Sequence, residues 1–516
     1  MGQGGIFLRK KIPIFYSALL LTGVNLFLRL VSTGFQVFLS RKIGPSGIGL
    51  LQLVMSTGAL AMTAGMAGIR TATMYLAAEE LGTKRSYNIT WVLSACLLYS
   101  ILCSGVISLL LSFSAPWISV NWIGNPETEG AIRLYACFIP VICLCGVMIG
   151  YFTAANRIGT LAAVEIGEQF VYIAVSVSIL SFWAGTDTAR ACQSLILASG
   201  ISSCITLSVL VMLRLRENAK TGAPIPIRKR LLHAAVPLAL ADNLRTGIST
   251  TENLMVPRRL ALYPGTENPL AVFGTVCGMV FPILMFPASI LFGLAELLIP
   301  ELARCAAAKS SARVHYLVKR GLRVAILYGC LCSGMEFLLA DWICLRLYKN
   351  ADAGIYLKLY ALLIPMLYCD TVTDAMTKGL GQQKACVKYN IITSAMDVAF
   401  LYILLPRFGM TGYYVSFLVT HLLNMILSLR RLLALSGNAL PIKTPLLAGL
   451  CTACALWLAN FLPSLGLQTV AFVTIWVCLL MITETIGAED ILWIQGLIQG
   501  SSPHNTRQKH NYPTPF

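Results

Sequence analysis

Residues 115–118 read Ala-Pro-Trp-Ile, and 225 positions later residues 340–343 read Ala-Asp-Trp-Ile. The same offset carries Leu134-Tyr135-Ala136 with Ile139-Pro140 onto Leu359-Tyr360-Ala361 with Ile364-Pro365, and Gly49 and Gly68 onto Gly274 and Gly293. Chance supplies one such match, but hardly four at one offset, so the chain contains a unit used twice. Each copy holds an even number of apolar segments, so both enter a membrane from the same side. That is a parallel repeat, related by an axis along the membrane normal, as in some secondary transporters. Two similar lobes facing each other in a V across a central cavity are the expected result.

The composition says what kind of protein is repeated. Hydrophobic residues make up 57% of the 516 and charged residues 12%, and the mean hydropathy is +0.74. A soluble chain carries about 25% charged residues, so a large soluble enzyme is excluded. Only structures that satisfy their own backbone hydrogen bonds cross hydrocarbon, and apolar runs of roughly 20 residues mean helices rather than barrel strands. Such segments fall near 14–40, 48–77, 90–113, 130–154, 161–184 and 190–213, then near 233–257, 270–299, 322–345, 354–377, 387–405 and 409–431, with two more at 444–462 and 467–486. The expected architecture is an all-α polytopic membrane protein of about fourteen transmembrane helices. It comprises an N-terminal lobe (12–214), a basic linker (215–232), a C-terminal lobe (233–431), two extra helices (444–486) and a polar tail (487–516).

Charge sets the expected orientation. With both termini cytoplasmic, the cytoplasmic pieces hold 26 of the 39 Lys and Arg residues and the outer pieces hold 10, the bias expected for the cytoplasmic side of a bacterial inner membrane. The net charge of +17 therefore reports topology, and no nucleic-acid partner is expected. The first apolar run, extending to about Ser40, is too long for a signal-peptide core. Cys451 and Cys454 form a C-x-x-C inside an apolar segment, where small core residues are the simpler reading than a redox or metal site. No enzyme is expected. The outer loops are short and carry no catalytic cluster, and the cytoplasmic loops are basic where a membrane glycosyltransferase needs an acidic donor site.

The remaining three of the 39 Lys and Arg residues stand inside spans: Arg29, Arg70 and Arg245. An ionised group at the bilayer centre costs roughly 2.5–3.5 kcal/mol on insertion scales, which makes such residues candidates for function. Arg29, with Asn25 one turn earlier, lies midway along the first segment, and Arg70 lies near the cytoplasmic end of the second. The seventh segment is unusually polar, with Asp242, Asn243, Arg245, Glu252 and Asn253. Asp242 and Arg245, three residues apart, can also meet as a structural pair. Glu165 and Glu168 sit near the expected start of the fifth segment, where they suit the helix dipole. Asp370, Asp374 and Asp397 could carry a coupling ion, sodium or proton, or serve as hydrogen-bonding groups between helices. No other cofactor or metal is expected.

The stretch from Arg29 to Ser40-Arg41-Lys42-Ile43-Gly44-Pro45-Ser46-Gly47-Ile48-Gly49-Leu50 resembles the opening of the lipid-linked oligosaccharide flippases of the MOP exporter superfamily. Ala77-Ala78-Glu79-Glu80, Gly150-Tyr151-Phe152, Glu165-Ile166-Gly167-Glu168-Gln169, Val256-Pro257-Arg258-Arg259-Leu260 and Leu298-Ile299-Pro300-Glu301-Leu302 resemble the branch called stage V sporulation protein B. The resemblance implies alternating access and transport of an undecaprenyl-linked saccharide or peptidoglycan precursor for spore cortex or cell wall. Membrane lipids and cell-wall synthesis proteins are its implied partners. The related lipid II flippase MurJ implies a diphosphate-binding role for Arg29. Phe35 and the surroundings of Met62 depart from MurJ's further arginines, and Leu401 departs from its ion-ligand pattern. A multidrug exporter of the same superfamily and a non-transporting scaffold of a cell-wall complex are the alternatives.

Overall fold

The computed structural model describes residues 14–82, 88–184, 187–217, 227–437 and 443–485, with first-helix side chains from Gly23 onward, Asn25 excepted. The described residues are helical and contain no strand. The first lobe runs α1 (Ile14–Met66), α2 (Ile69–Gly82), α3 (Ile89–Ile118), α4 (Glu129–Ala154), α5 (Ile158–Ile179) and α6 (Thr188–Leu215). The second runs α7 (Arg228–Leu260), α8 (Pro269–Thr275), α9 (Phe281–Leu284), α10 (Ala288–Ala307), α11 (Ser311–Ile343), α12 (Ala351–Ala361), α13 (Ile364–Gly379) and α14 (Gln383–Ser436). Two further helices, α15 (Lys443–Ala459) and α16 (Leu465–Ile482), follow. Helix α7 already begins at Arg228, inside the stretch expected to be linker; residues 218–226 and the expected tail lie outside the described residues.

Helix α1 has 53 residues, about 80 Å at 1.5 Å per residue, far beyond a hydrocarbon core of about 30 Å. It breaks at Gly44, where φ is 69° and ψ 178°, followed by Pro45. Glycine tolerates that positive φ and proline has no N–H to continue the ladder. Helix α14, 54 residues long, breaks in the same way at Gly409, with φ 56° and ψ −137°. Eight described stretches are long and apolar enough to cross a membrane. Two of them count double: 26–81, which holds the break in α1 and continues into α2, and 383–436 in α14; the bent pairs at 269–307 and 351–379 add one span each. The polar α7 and the short α15 complete the fourteen.

The repeat survives in local detail. Helix α3 widens into a π-helical turn at Ser119–Ile123, Gly124 is left-handed, and the Asn125 side chain caps the next turn. At the same offset of 225, α11 ends in a π turn at Cys344–Tyr348, Lys349 is left-handed, and Asn350 caps the N–H of Ala353. Trp117 and Trp342 are both 55% exposed, the setting in which tryptophan belts a membrane interface.

The lobes meet along an antiparallel seam. At one end Arg230 of α7 reaches Glu79 at 2.7 Å and Glu80 at 3.0 Å on α2. Further along, Thr250 donates to the Ser56 carbonyl at 3.1 Å and Asn253 to the Ser56 hydroxyl at 3.0 Å. The other end closes on glycines: a Cβ on Gly274 would stand 2.0 Å from the Pro45 oxygen and 2.6 Å from the Gly49 nitrogen. Beside it, Gln36 donates to the Gly278 carbonyl at 3.1 Å. Helices α15 and α16 lie away from the seam, with the Phe472 ring against Gly334 of α11 and Trp476 donating to Thr452 at 2.9 Å.

The substitution Gly274→Ala should therefore force the seam apart and lower the melting temperature, at a cost of about 1–3 kcal/mol. Gly105→Ala, whose Cβ would meet nothing within 4 Å, should leave the melting temperature unchanged or slightly raised.

Candidate functional site

Arg29 sits on the first half of α1, half-buried at the seam. Its guanidinium lies 5.3 Å from the Phe292 ring centroid on α10, a cation–π contact between lobes. Arg29 forms no ion pair with any described residue. On the same face, Ser32 and Gln36 follow at i+3 and i+7. Both line a cavity of ≈ 460 Å³ between α1, α5 and α6. Asn25 falls in this helix, but its side chain lies outside the described residues.

The other predicted residues separate into groups. Arg70 is exposed on α2, close enough to act electrostatically on Glu165 of α5. Glu165 and Glu168 are not at a helix start, because α5 begins at Ile158. They stand two or more turns inside the helix, beyond the reach of its dipole. On α7, Asp242 and Arg245 are both exposed and do not pair with each other, so the structural pair is not formed. Arg245 instead lines a cavity of ≈ 410 Å³ with Glu296, Asp370, Asp374 and Lys378. Asn243 keeps a buried carbonyl oxygen without a partner.

Glu252, Asp370 and Asp397 converge in the second lobe around a space of ≈ 90 Å³ that His421 also lines. Asp397 is buried and accepts from Ser416 at 2.5 Å and from Thr420 at 3.1 Å, while Glu252 lies within hydrogen-bonding reach of it. Asp370 accepts both donations of the Asn424 amide, at 3.1 and 3.0 Å. Asp374 is set apart by its 2.6 Å ion pair with Lys378. A space of this size holds a small ion, whereas ligand pockets run to about 300–1,000 Å³.

The sequence reading passed over the polar partners in this cluster: Ser416, Thr420, His421 and Asn424. Individually they are ordinary helix residues; a period of three to four along 416–424 was the available signal. It also passed over Glu336 on α11, a buried carboxyl with neither oxygen hydrogen-bonded. Cys451 is buried and Cys454 exposed, so that pair does not converge.

A protein-family model described as MatE matches residues 21–186. Stage V sporulation protein B of Bacillus subtilis (strain 168) is 22% identical over 419 residues, which cover 76% of this chain and 78% of that protein. Among solved structures, the lipid II flippase MurJ in an inward closed conformation superposes with a TM-score of 0.66 at 12% identity, covering 90% of this chain and 98% of MurJ. An inward-facing multidrug resistance MATE family transporter superposes with a TM-score of 0.65 at 15% identity, covering 81% and 98%. The MatE match thus lies in the first lobe, and over most of its length the chain shares the fold of these two transporter structures.

Proposed function

We propose that the chain is a flippase. It moves an undecaprenyl-linked saccharide or peptidoglycan precursor across the bacterial cytoplasmic membrane by alternating access, in service of cell-wall or spore-cortex synthesis. The observation that carries this reading is Arg29, a permanent cation at the seam with no carboxylate partner among the described residues. A diphosphate with sugars cannot cross hydrocarbon unaided, and a guanidinium holds phosphate oxygens through two parallel hydrogen bonds. The relatives named for sporulation and for lipid II support the same substrate class. The excess of Lys and Arg on one side supports cytoplasmic termini.

Transport against a gradient needs a driving ion, and the Glu252–Asp397 pair is its proposed seat. Two carboxylates in hydrogen-bonding reach repel unless a proton or small cation lies between them. A second reading, a multidrug exporter of the same superfamily, is favoured by this same acidic cluster and by the MATE likeness. The two readings part at Arg29, which the flippase needs and the exporter does not.

For the flippase, Arg29→Ala should lower transport by about 10- to 100-fold, the loss of one charge-assisted interaction, at unchanged membrane abundance. Arg29→Lys should restore it in part, as scored by complementation of a deletion strain. An exporter would instead tolerate Arg29→Ala, while Glu252→Gln should impair transport on either reading. In reconstituted vesicles, Asp397→Asn should abolish the dependence of transport on an imposed sodium or proton gradient. Reporters fused after Arg228 and near Pro126 should read cytoplasmic and external, respectively.

A further inference from the structure

The cavity beside Arg29 has a counterpart in the other lobe. Its lining residues Glu168, Gln169 and Tyr172 on α5, and Leu195, Ile196 and Ser199 on α6, map at the offset of 225 onto Thr393, Ser394, Asp397, Thr420, His421 and Asn424. All six of those line the acidic space in α14. The two lobes therefore hold the same pocket position, filled differently. In the second lobe it measures ≈ 90 Å³ and is ringed by carboxylates and a histidine. In the first it measures ≈ 460 Å³, within the range of small-molecule sites.

The chemistry of the larger pocket is that of a hydroxyl-binding site. Ser32, Gln36, Gln52, Gln169 and Ser199 supply neutral donors and acceptors, and Glu168 supplies a single carboxylate. Glu168 lies within hydrogen-bonding reach of Thr206 and Ser203, which orients it. Tyr135 and Tyr172 add aromatic surface, and Tyr172 is held edge-on by Phe35 with ring centroids 5.4 Å apart. Rings with one apolar face and many hydroxyls match this mixture; a cation would find one acid among many amides, and a bare alkyl chain would leave the amides unpaired.

Position narrows the ligand further. Arg29, Ser32 and Gln36 share one helix face, and Gln36 lies about 10 Å along the axis from Arg29. A sugar attached to a diphosphate held by Arg29 reaches that depth directly. We infer that this first-lobe pocket is a saccharide subsite, which takes the first sugar of a lipid-linked glycan through Glu168, Gln52 and Ser199. This rests on the flippase reading and adds to it where the glycan, rather than the diphosphate, is read.

The test titrates the purified full chain with two probes, farnesyl diphosphate and the same lipid diphosphate bearing one hexose. The subsite predicts that the hexose tightens binding about tenfold, the worth of one or two net hydrogen bonds. Glu168→Gln and Gln52→Leu, on different helices, should each erase that increment while leaving the bare probe's affinity unchanged, which also certifies folding. Arg29→Ala should weaken both probes together. Equal binding of the two probes by the unaltered protein would overturn the inference, as would variants that keep the increment or lose both affinities alike. A hexose increment that persists while Arg29→Ala leaves the bare probe untouched would uphold the subsite and overturn the diphosphate clamp.

Discussion

Gly274 lies so close to α1 that an added Cβ would stand 2.0 Å from the Pro45 carbonyl oxygen, and the geometry of the seam follows from that approach. Gly49, its repeat mate, meets the Leu270 carbonyl at 2.3 Å by the same measure, so each copy presents a bare backbone to the other. Lipid tails are as apolar as leucine, and membrane helices associate through close backbone packing and hydrogen bonds. The two lobes are thereby locked at one end by van der Waals contact and at the other by Arg230 between two glutamates. Opening either end exchanges one kind of interaction for water, an asymmetry that suits the proposed alternating access.

The polar residues are distributed against this seam with a division between lobes. The second lobe gathers Glu252, Asp370 and Asp397 around a volume fit for an ion. The first carries the Arg29 guanidinium, unpaired among the described residues, and, beside it, a larger pocket lined mainly by neutral side chains with Glu168 as its one carboxylate. Duplication supplied one scaffold twice, and divergence at equivalent positions, Tyr172 against Asp397 and Ile196 against His421, gave each copy a different chemistry. On the proposed function a substrate and a driving ion are coupled through one conformational equilibrium, and separate sites on the two lobes suit that task better than one shared site.

The fold was legible because its signals are long. Apolar segments of membrane length, the 225-residue offset and the Lys/Arg bias each integrate over many residues, so an error in one boundary changes little. Candidate site positions stood out in the sequence only where a charge is intrinsically costly in hydrocarbon, as at Arg29 and Asp397. Asp242 and Arg245 satisfied the spacing of a pair yet stand apart, because both are exposed and nothing draws them together. Glu165 and Glu168 were assigned to a helix start that the structure puts at Ile158. The hydroxyls and amides of both pockets were invisible for the opposite reason: serine, threonine and asparagine cost little in a helix, and only tertiary contact gives them a role. Aligning the two copies residue by residue would have exposed the paired pockets.

The central claim is that a lipid diphosphate is held at the lobe seam by Arg29. An experimental structure of the protein with a polyprenyl diphosphate bound tests it most directly. The account predicts phosphate oxygens about 2.7–2.9 Å from the Arg29 guanidinium, with the prenyl chain leaving the seam toward lipid. Phosphate density seated elsewhere, with Arg29 still stacked on Phe292 and touching no ligand, would contradict it.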